Sequence, residues 1–135
     1  MTDSDYIYSQ AFEVRDYECD IQGVVNNANY QHYLEHARHG FLISKGLSFD
    51  ELHKEGTDLV ITRVTIDYKH PLRSRDKFIV RLNIRREGNA RMVFIQDIFR
   101  QPDEKLIVRA EVTGVATKNG KPVSPGKLIG QLGLE

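Results

Sequence analysis

The chain has 135 residues, with 19 Lys+Arg against 19 Asp+Glu and a single cysteine. Its length suggests one domain, residues 1–135, large enough to bury a core without disulfides or metal. Zero net charge leaves no overall field to draw in nucleic acid or an acidic membrane, and the lone Cys19 excludes a disulfide framework and fits a reducing compartment.

Met1 to Gln10 is polar and acidic, without an apolar core of signal-peptide length. No apolar run is long enough to cross a bilayer, so the expectation is a soluble, cytoplasmic protein with no membrane insertion.

Tyr8 to Arg15 reads as a first strand, followed by a turn over Asp20–Gly23, where Gly23 permits a left-handed backbone. Asn26 or Asn27 is a good helix N-cap. From there Tyr30, Tyr33, Leu34, Ala37 and Phe41 recur at helical spacing and fall on one stripe. Lys45-Gly46 should end this helix. A short helical piece follows, about Ser48 to Glu55, with Ser48 as cap and Glu51 completing a capping box.

Beyond Gly56 the chain reads as strand. Residues 58–69 are rich in β-branched side chains and stop at His70-Pro71. Phe78, Val80, Leu82 and Ile84 then alternate with Lys77, Ile79, Arg81, Asn83 and Arg85, a two-residue period. Glu87-Gly88-Asn89 reads as a turn. Arg91 to Arg100 and Leu106 to Lys118 make two more strands around the turn Pro102-Asp103-Glu104, and Asn119-Gly120 is a further turn signal.

The predicted fold class is α+β: a five-stranded antiparallel sheet wrapped around one long central helix, with the last four strands in antiparallel hairpins. That is the hotdog arrangement. A single sheet with open edges invites pairing with further copies, so a homodimer or homotetramer is expected.

Asp20 puts a carboxylate a few residues upstream of the helix start. The first N–H groups of a helix lack intrahelical partners and carry partial positive charge. A nucleophile or base beside such a dipole is what hydrolysis of an activated carbonyl needs. The competing reading is that Asp20 only caps a turn.

Asp20-x-x-Gly23-x-Val25-x-Asn27-x-x-Tyr30, followed by Glu35 and Arg38, resembles the motif of the 4-hydroxybenzoyl-CoA thioesterase branch of hotdog proteins. The later Asp67-Tyr68-x-x-Pro71-Leu72-x-x-x-Asp76 resembles that family's strand-to-strand connection. The resemblance implies hydrolysis of an acyl-CoA thioester. Asp20 falls on the family's catalytic aspartate, as nucleophile or as general base. Asn27 falls where a backbone N–H at the helix start polarises the carbonyl. Gly23, Val25 and Tyr30 are the motif positions expected at the substrate site.

Arg85, Arg86, Asn89 and Arg91 surround the Gly88 turn. They read either as a solvated hairpin end or as a cradle for CoA phosphates, whose geometry arginine matches. Relatives place nucleotide contacts near this hairpin, which favours Arg86, Asn89 and Arg91 as binding residues. Lys118, Lys121 and Lys127 are weaker candidates.

His32-Tyr33-Leu34-Glu35-His36 fits a metallopeptidase spacing. Yet His32, His36 and His39 lie opposite the apolar stripe, a face for solvent or another subunit, so neither metal nor redox cofactor is expected. Glu35 and Arg38 are expected to orient the helix or line a subunit contact, and Cys19 to be a plain buried thiol. Rival functions are hydrolysis of an acyl carrier protein thioester, a non-catalytic acyl-CoA-binding module, and a dehydratase. The last would need a histidine near Asp20, and that segment has none.

Overall fold

The structure, a computed structural model, describes residues 6–47, 49–124 and 130. Strand β1 (Tyr8–Glu13) leads through a 3-10 turn (Asp16–Glu18) to the long helix α1 (Asn27–Ser44), then to α2 (Phe49–Lys54). Strands β2 (Thr57–Tyr68), β3 (Lys77–Glu87), β4 (Arg91–Gln101) and β5 (Lys105–Lys118) follow, with a two-residue β6 (Lys121–Pro122). The order across the antiparallel sheet is β1-β3-β4-β5-β2, with β6 added beside β5. This is the hotdog fold.

Helix α1 forms where its pattern demands. Asn26 caps it, Lys45 closes it, and Gly46 turns the chain out at φ 77°. Its stripe is buried throughout. Tyr30, Tyr33, Leu34 and Ala37 pack in one cluster with Phe78, Val80, Ile98 and Val108. Phe41 and Leu42 pack in a second with Leu52, Leu82, Met92 and Phe94. Gly40 lets the helix approach β1: a Cβ there would overlap the ends of Tyr8 and Gln10.

Two expectations need correction. The strands after α1 do not form a run of hairpins. β3, β4 and β5 do, but β2 crosses to the far side of the sheet and pairs with β5, while β3 pairs with β1. Pro71 and the long link from Lys69 to Asp76 rule out a tight β2–β3 turn, and no local pattern encodes the distant partner. The first strand also ends at Glu13 instead of Arg15, because Val14 turns its N–H to the Asp76 carbonyl and accepts from the Arg75 N–H. The cap expected at Ser48 and the candidate Lys127 lie outside the described residues.

The sheet's outer face carries a ladder of alternating charge. Arg81 on β3, Asp97 on β4, Arg109 on β5 and Asp67 on β2 stand directly opposite one another. Asp97 is fully buried. It accepts a hydrogen bond from Tyr6 Oη at 2.7 Å and pairs with half-exposed Arg109 at 3.3 Å. Burial and this carboxylate together push the Tyr6 phenol well above its usual range. Arg81 pairs with Glu104 at 2.7 Å and lies 4.7 Å from the Phe99 ring centroid.

Removing Arg109 would take a cationic partner from a buried carboxylate that keeps its Tyr6 hydrogen bond. Arg109→Ala is expected to lower stability in urea denaturation by about 2 kcal/mol, discounted because the guanidinium is half exposed. Asp97→Asn, which keeps an acceptor for Tyr6, is expected to cost less.

Candidate active site

The site begins with how the segment between β1 and α1 is fastened. The 3-10 turn aims the Glu18 carbonyl at the helix start, where it accepts from Asn26 N at 3.0 Å and Asn29 Nδ2 at 2.8 Å. The Glu18 side chain is buried. Its Oε1 accepts from Arg15 N at 2.8 Å and from Tyr33 Oη at 2.9 Å, and the Arg15 guanidinium lies 3.7 Å from Oε2. Burial and Glu18 together hold the Tyr33 phenol far above its usual range, so it stays a donor.

A second anchor comes from the connection after β2. Leu72, fully buried, accepts from Val25 N at 2.8 Å and donates its N–H to Tyr30 Oη at 3.0 Å. Bridges Cys19–Val25 and Val24–Arg73 complete the frame. The Asp67–Asp76 motif therefore serves to hold the loop that carries Asp20.

Asp20 itself is exposed on a tight turn. Its carbonyl accepts from Gly23 N and its N–H donates to Val24 O, with Gly23 at φ 79°. Oδ1 accepts from Gln22 N at 2.8 Å and Val24 N at 3.4 Å. Half of the carboxylate thus caps its own turn. Oδ2 has no hydrogen-bond partner among the described residues.

At the helix tip, Asn26 Oδ1 takes Ala28 N at 3.0 Å and Asn26 O takes Asn29 N at 2.9 Å. The first helical amide, Asn27 N–H, has no partner among the described residues. One polarised donor at the helix mouth therefore remains open. Cys19, next to Asp20, is unsuited to act as a nucleophile. Burial, aided by Asp16, Asp20 and Glu18, pushes its thiol pKa up.

The remaining candidates divide. Val25 and Tyr30 are buried supports of the loop, and burial raises the Tyr30 phenol. Around the β3–β4 turn, Arg85 is committed to Glu111 at 2.7 Å and Glu87 at 3.6 Å. Arg86 is exposed and donates to Ser124 Oγ at 3.0 Å, while Asn89 and Arg91 are exposed. The histidines His32, His36 and His39 are exposed, off the buried stripe, and the His36 ring packs edge-on against Phe12 at 5.6 Å.

Two cavities flank α1. One of about 750 Å³ lies between the helix and β1, with Phe12, Glu13, Glu18, His32, Tyr33 and His36 on its walls. The other, about 210 Å³, lies between the opposite flank and strands β2 and β5, lined by Gln31, Leu34, Glu35, Arg38, Ile61, Val64 and Val112. Neither is lined by Asp20 or Asn27.

Sequence reasoning missed two residues. Glu18 reads as a surface acid in a polar stretch, and nothing local signals its burial. Arg38, expected to orient the helix or meet another subunit, is buried on the helix's sheet-facing side and donates to Gln96 Oε1 at 2.9 Å. Its spacing from Leu34 and Phe41 could have revealed this.

Residues 14–126 match the thioesterase-like superfamily. An acyl-acyl carrier protein thioesterase of Arabidopsis thaliana chloroplasts is 43% identical over 107 residues, which is 79% of this chain and 56% of that protein. The chain thus spans little more than half the length of that relative. A putative esterase of Aquifex aeolicus is 34% identical over 124 residues, covering 92% of this chain and 94% of the relative. A solved 1,4-dihydroxy-2-naphthoyl-CoA thioesterase from Synechocystis shares the fold, with TM-score 0.86 and 21% identity over 93% of this chain and 94% of that one.

Truncating Glu18 would leave Tyr33 Oη and Arg15 N–H without their acceptor. Glu18→Ala is expected to lose about 1–3 kcal/mol of stability in thermal or urea unfolding. Glu18→Gln, which retains a side-chain acceptor, is expected to recover much of it.

Proposed function

The chain belongs to the thioesterase-like superfamily, and from that premise we propose that it hydrolyses an acyl-CoA thioester to a free carboxylic acid and CoA. Asp20 acts as nucleophile or general base, and the Asn27 amide polarises the thioester carbonyl. The observation that supports this reading is a carboxylate oxygen and a helix-tip amide that each lack a hydrogen-bond partner among the described residues. Both sit on a loop and helix fastened together through Glu18.

As nucleophile, Asp20 Oδ2 bonds to the carbonyl carbon, and the displaced electron pair rests on an oxyanion that accepts from Asn27 N–H. Collapse breaks the C–S bond and releases the CoA thiolate, leaving an anhydride that water hydrolyses. As base, the carboxylate takes a proton from water, which attacks the same carbon. A thiolate is a good leaving group, so neither route demands a strong general acid. Positive potential at the helix tip stabilises the oxyanion with little reorganisation.

The carrier has a second candidate. Identity of 43% to an acyl carrier protein thioesterase supports an acyl-acyl carrier protein substrate, with the same chemistry at Asp20. The arginines at the β3–β4 turn bear on this choice. Arg86, Asn89 and Arg91, with their exposed side chains, suit the phosphates of CoA.

Association is a further part of the reading. β2 is a twelve-residue edge strand, and Val60, Ile61, Val64 and Tyr68 on it are exposed. An open apolar edge is a template for pairing. Two copies joined along β2 would cover it with the symmetry most oligomers use.

Free-thiol release from a panel of acyl-CoA, aryl-CoA and acyl carrier protein thioesters tests the reaction. Asp20→Asn is expected to lower turnover at least about a hundredfold, and unchanged turnover would remove Asp20 from the mechanism. Asn27→Pro tests the amide. Proline suits the first helical position, and the residue before it must be extended. Asn26 already is, at φ −63°, ψ 136°. The variant should keep the fold and lose about 2.7–4 kcal/mol of transition-state stabilisation.

Sedimentation velocity tests the edge pairing: wild type is expected to be at least dimeric, and Val60→Lys, at an exposed position outside both cavities, monomeric. A monomeric wild type at assay concentration would refute it.

A further inference from the structure

Arg38 is 8% exposed, yet it makes no ion pair with a carboxylate among the described residues. Nη1 donates to Gln96 Oε1 at 2.9 Å, and Gln96 Nε2 donates to the Leu34 carbonyl at 2.9 Å. Among the described residues the Gln96 contact is Arg38's one hydrogen bond, and its guanidinium carbon also lies 6.0 Å from the Phe94 ring centroid. Glu35, a turn away, is more than half exposed and pairs with His39 at 4.0 Å. No fully buried side-chain nitrogen lacks a partner among the described residues, so the guanidinium nitrogens without one keep some solvent access. The space beside them is the 210 Å³ cavity between α1 and β2.

A buried cation with one hydrogen bond is costly unless an acceptor meets it. The cavity's other walls are mostly apolar: Leu34, Ile61, Val64 and Val112. Gln31 and the Glu35 carboxylate complete the lining. Largely apolar walls with a few polar and charged groups are the composition of a small-molecule pocket.

The cavity is aligned with the helix tip. At about 100° per residue, Asn27, Gln31, Leu34 and Arg38 fall on one flank of α1. The Arg38–Gln96–Leu34 contacts hold the guanidinium near the level of Leu34. That is about 10 Å along the axis from the Asn27 amide, at 1.5 Å per residue. An extended decanoyl chain has this reach.

We infer that this cavity receives the acyl chain and that Arg38 determines specificity by donating to an oxygen on it, whether hydroxyl, oxo or carboxylate, remote from the thioester. Gln96 is the positioning residue: it orients the guanidinium and is itself fixed by the Leu34 carbonyl. The inference rests on the thioester-hydrolase reading. It adds that the preferred substrates are oxygenated acyl groups of medium length and not plain fatty chains.

The test compares decanoyl-CoA with ω-hydroxydecanoyl-CoA and the CoA monoester of decanedioic acid, on wild type and Arg38→Met. Wild type is expected to favour at least one oxygenated substrate by about tenfold or more in kcat/KM, since a site built around a donor rejects the analogue that lacks its acceptor. In Arg38→Met that ratio is expected to fall close to one. The two oxygenated arms separate a neutral acceptor from an anion.

Equal use of all three substrates by wild type, or a preference that survives in Arg38→Met, overturns the inference and leaves the hydrolase reading intact. No hydrolysis of these three substrates overturns the inference, and no hydrolysis of the aryl-CoA and acyl carrier protein thioesters either overturns the hydrolase reading with it. A change in sedimentation of Arg38→Met with the ratio unchanged assigns the guanidinium to a second copy of the chain, and also overturns it. Calorimetric binding of decanedioate, ω-hydroxydecanoate and decanoate to wild type needs no variant. Tighter binding of an oxygenated acid supports the inference, and equal binding refutes it.

Discussion

One backbone carbonyl holds the candidate site together. Glu18 O accepts from Asn26 N and Asn29 Nδ2, and so fastens the loop before α1 to the helix's own cap. Asn26 at the same time satisfies Ala28 N with its side chain. The geometry of the Asp20 turn is thereby tied to that of the helix mouth. Glu18's carboxylate deepens the anchor by engaging Tyr33 from the helix core and Arg15 from the preceding chain. A buried carboxylate is tolerated because donors meet it on several sides. The same low-dielectric surroundings strengthen those bonds.

The curled sheet gives α1 two unlike flanks. β1 and β2 are the sheet's two edges, and the helix leaves a cavity beside each. Buried polar groups sit at both: Glu18 with Tyr33 on one flank, Arg38 with Gln96 on the other. They differ in saturation. Glu18 is met by a phenol, a backbone amide and a guanidinium, which is the signature of a structural anchor. Arg38 is met by a single amide oxygen and, 6.0 Å from its guanidinium carbon, the Phe94 ring, which leaves donors to spare. Burial pulls the Arg38 pKa down, and the nearby Glu35 carboxylate opposes that shift.

Much of this was legible in the sequence, and the limits have physical causes. The stripe from Tyr30 to Phe41 reports directly which face of the helix is buried, because a 3.6-residue period is local. So do the alternation from Phe78 to Ile84 and the Asn119-Gly120 turn, where both residues adopt positive φ. Strand order was not legible. β2 finds β5 across some fifty residues, and nothing in either strand names the other. At the site, the motif located the Asp20 turn and the helix cap, and the structure brings both onto one frame. It could not separate Glu18 from the other acids around it, since burial of a charge is decided by tertiary partners such as Tyr33. Nor could it reveal that Leu72 ties the β2–β3 connection to Val25 and Tyr30.

The chemistry proposed here asks little of the protein. A thioester is activated and its thiolate departs readily, so one carboxylate and one oriented amide suffice for the bond-breaking step. Selection among substrates must then come from elsewhere, and the two kinds of residue are separated along the helix. On the proposed mechanism the first turn would offer the carbonyl contact through backbone, which is indifferent to side-chain identity at Asn27. The second and third turns offer Gln31, Leu34 and Arg38 to whatever lies beside the helix. A substitution at Arg38 can therefore reshape the cavity beside β2 without moving the Glu18 anchor, because the two are held by different hydrogen bonds on opposite flanks. That division lets one fold keep its hydrolytic step while the acyl group it accepts is changed.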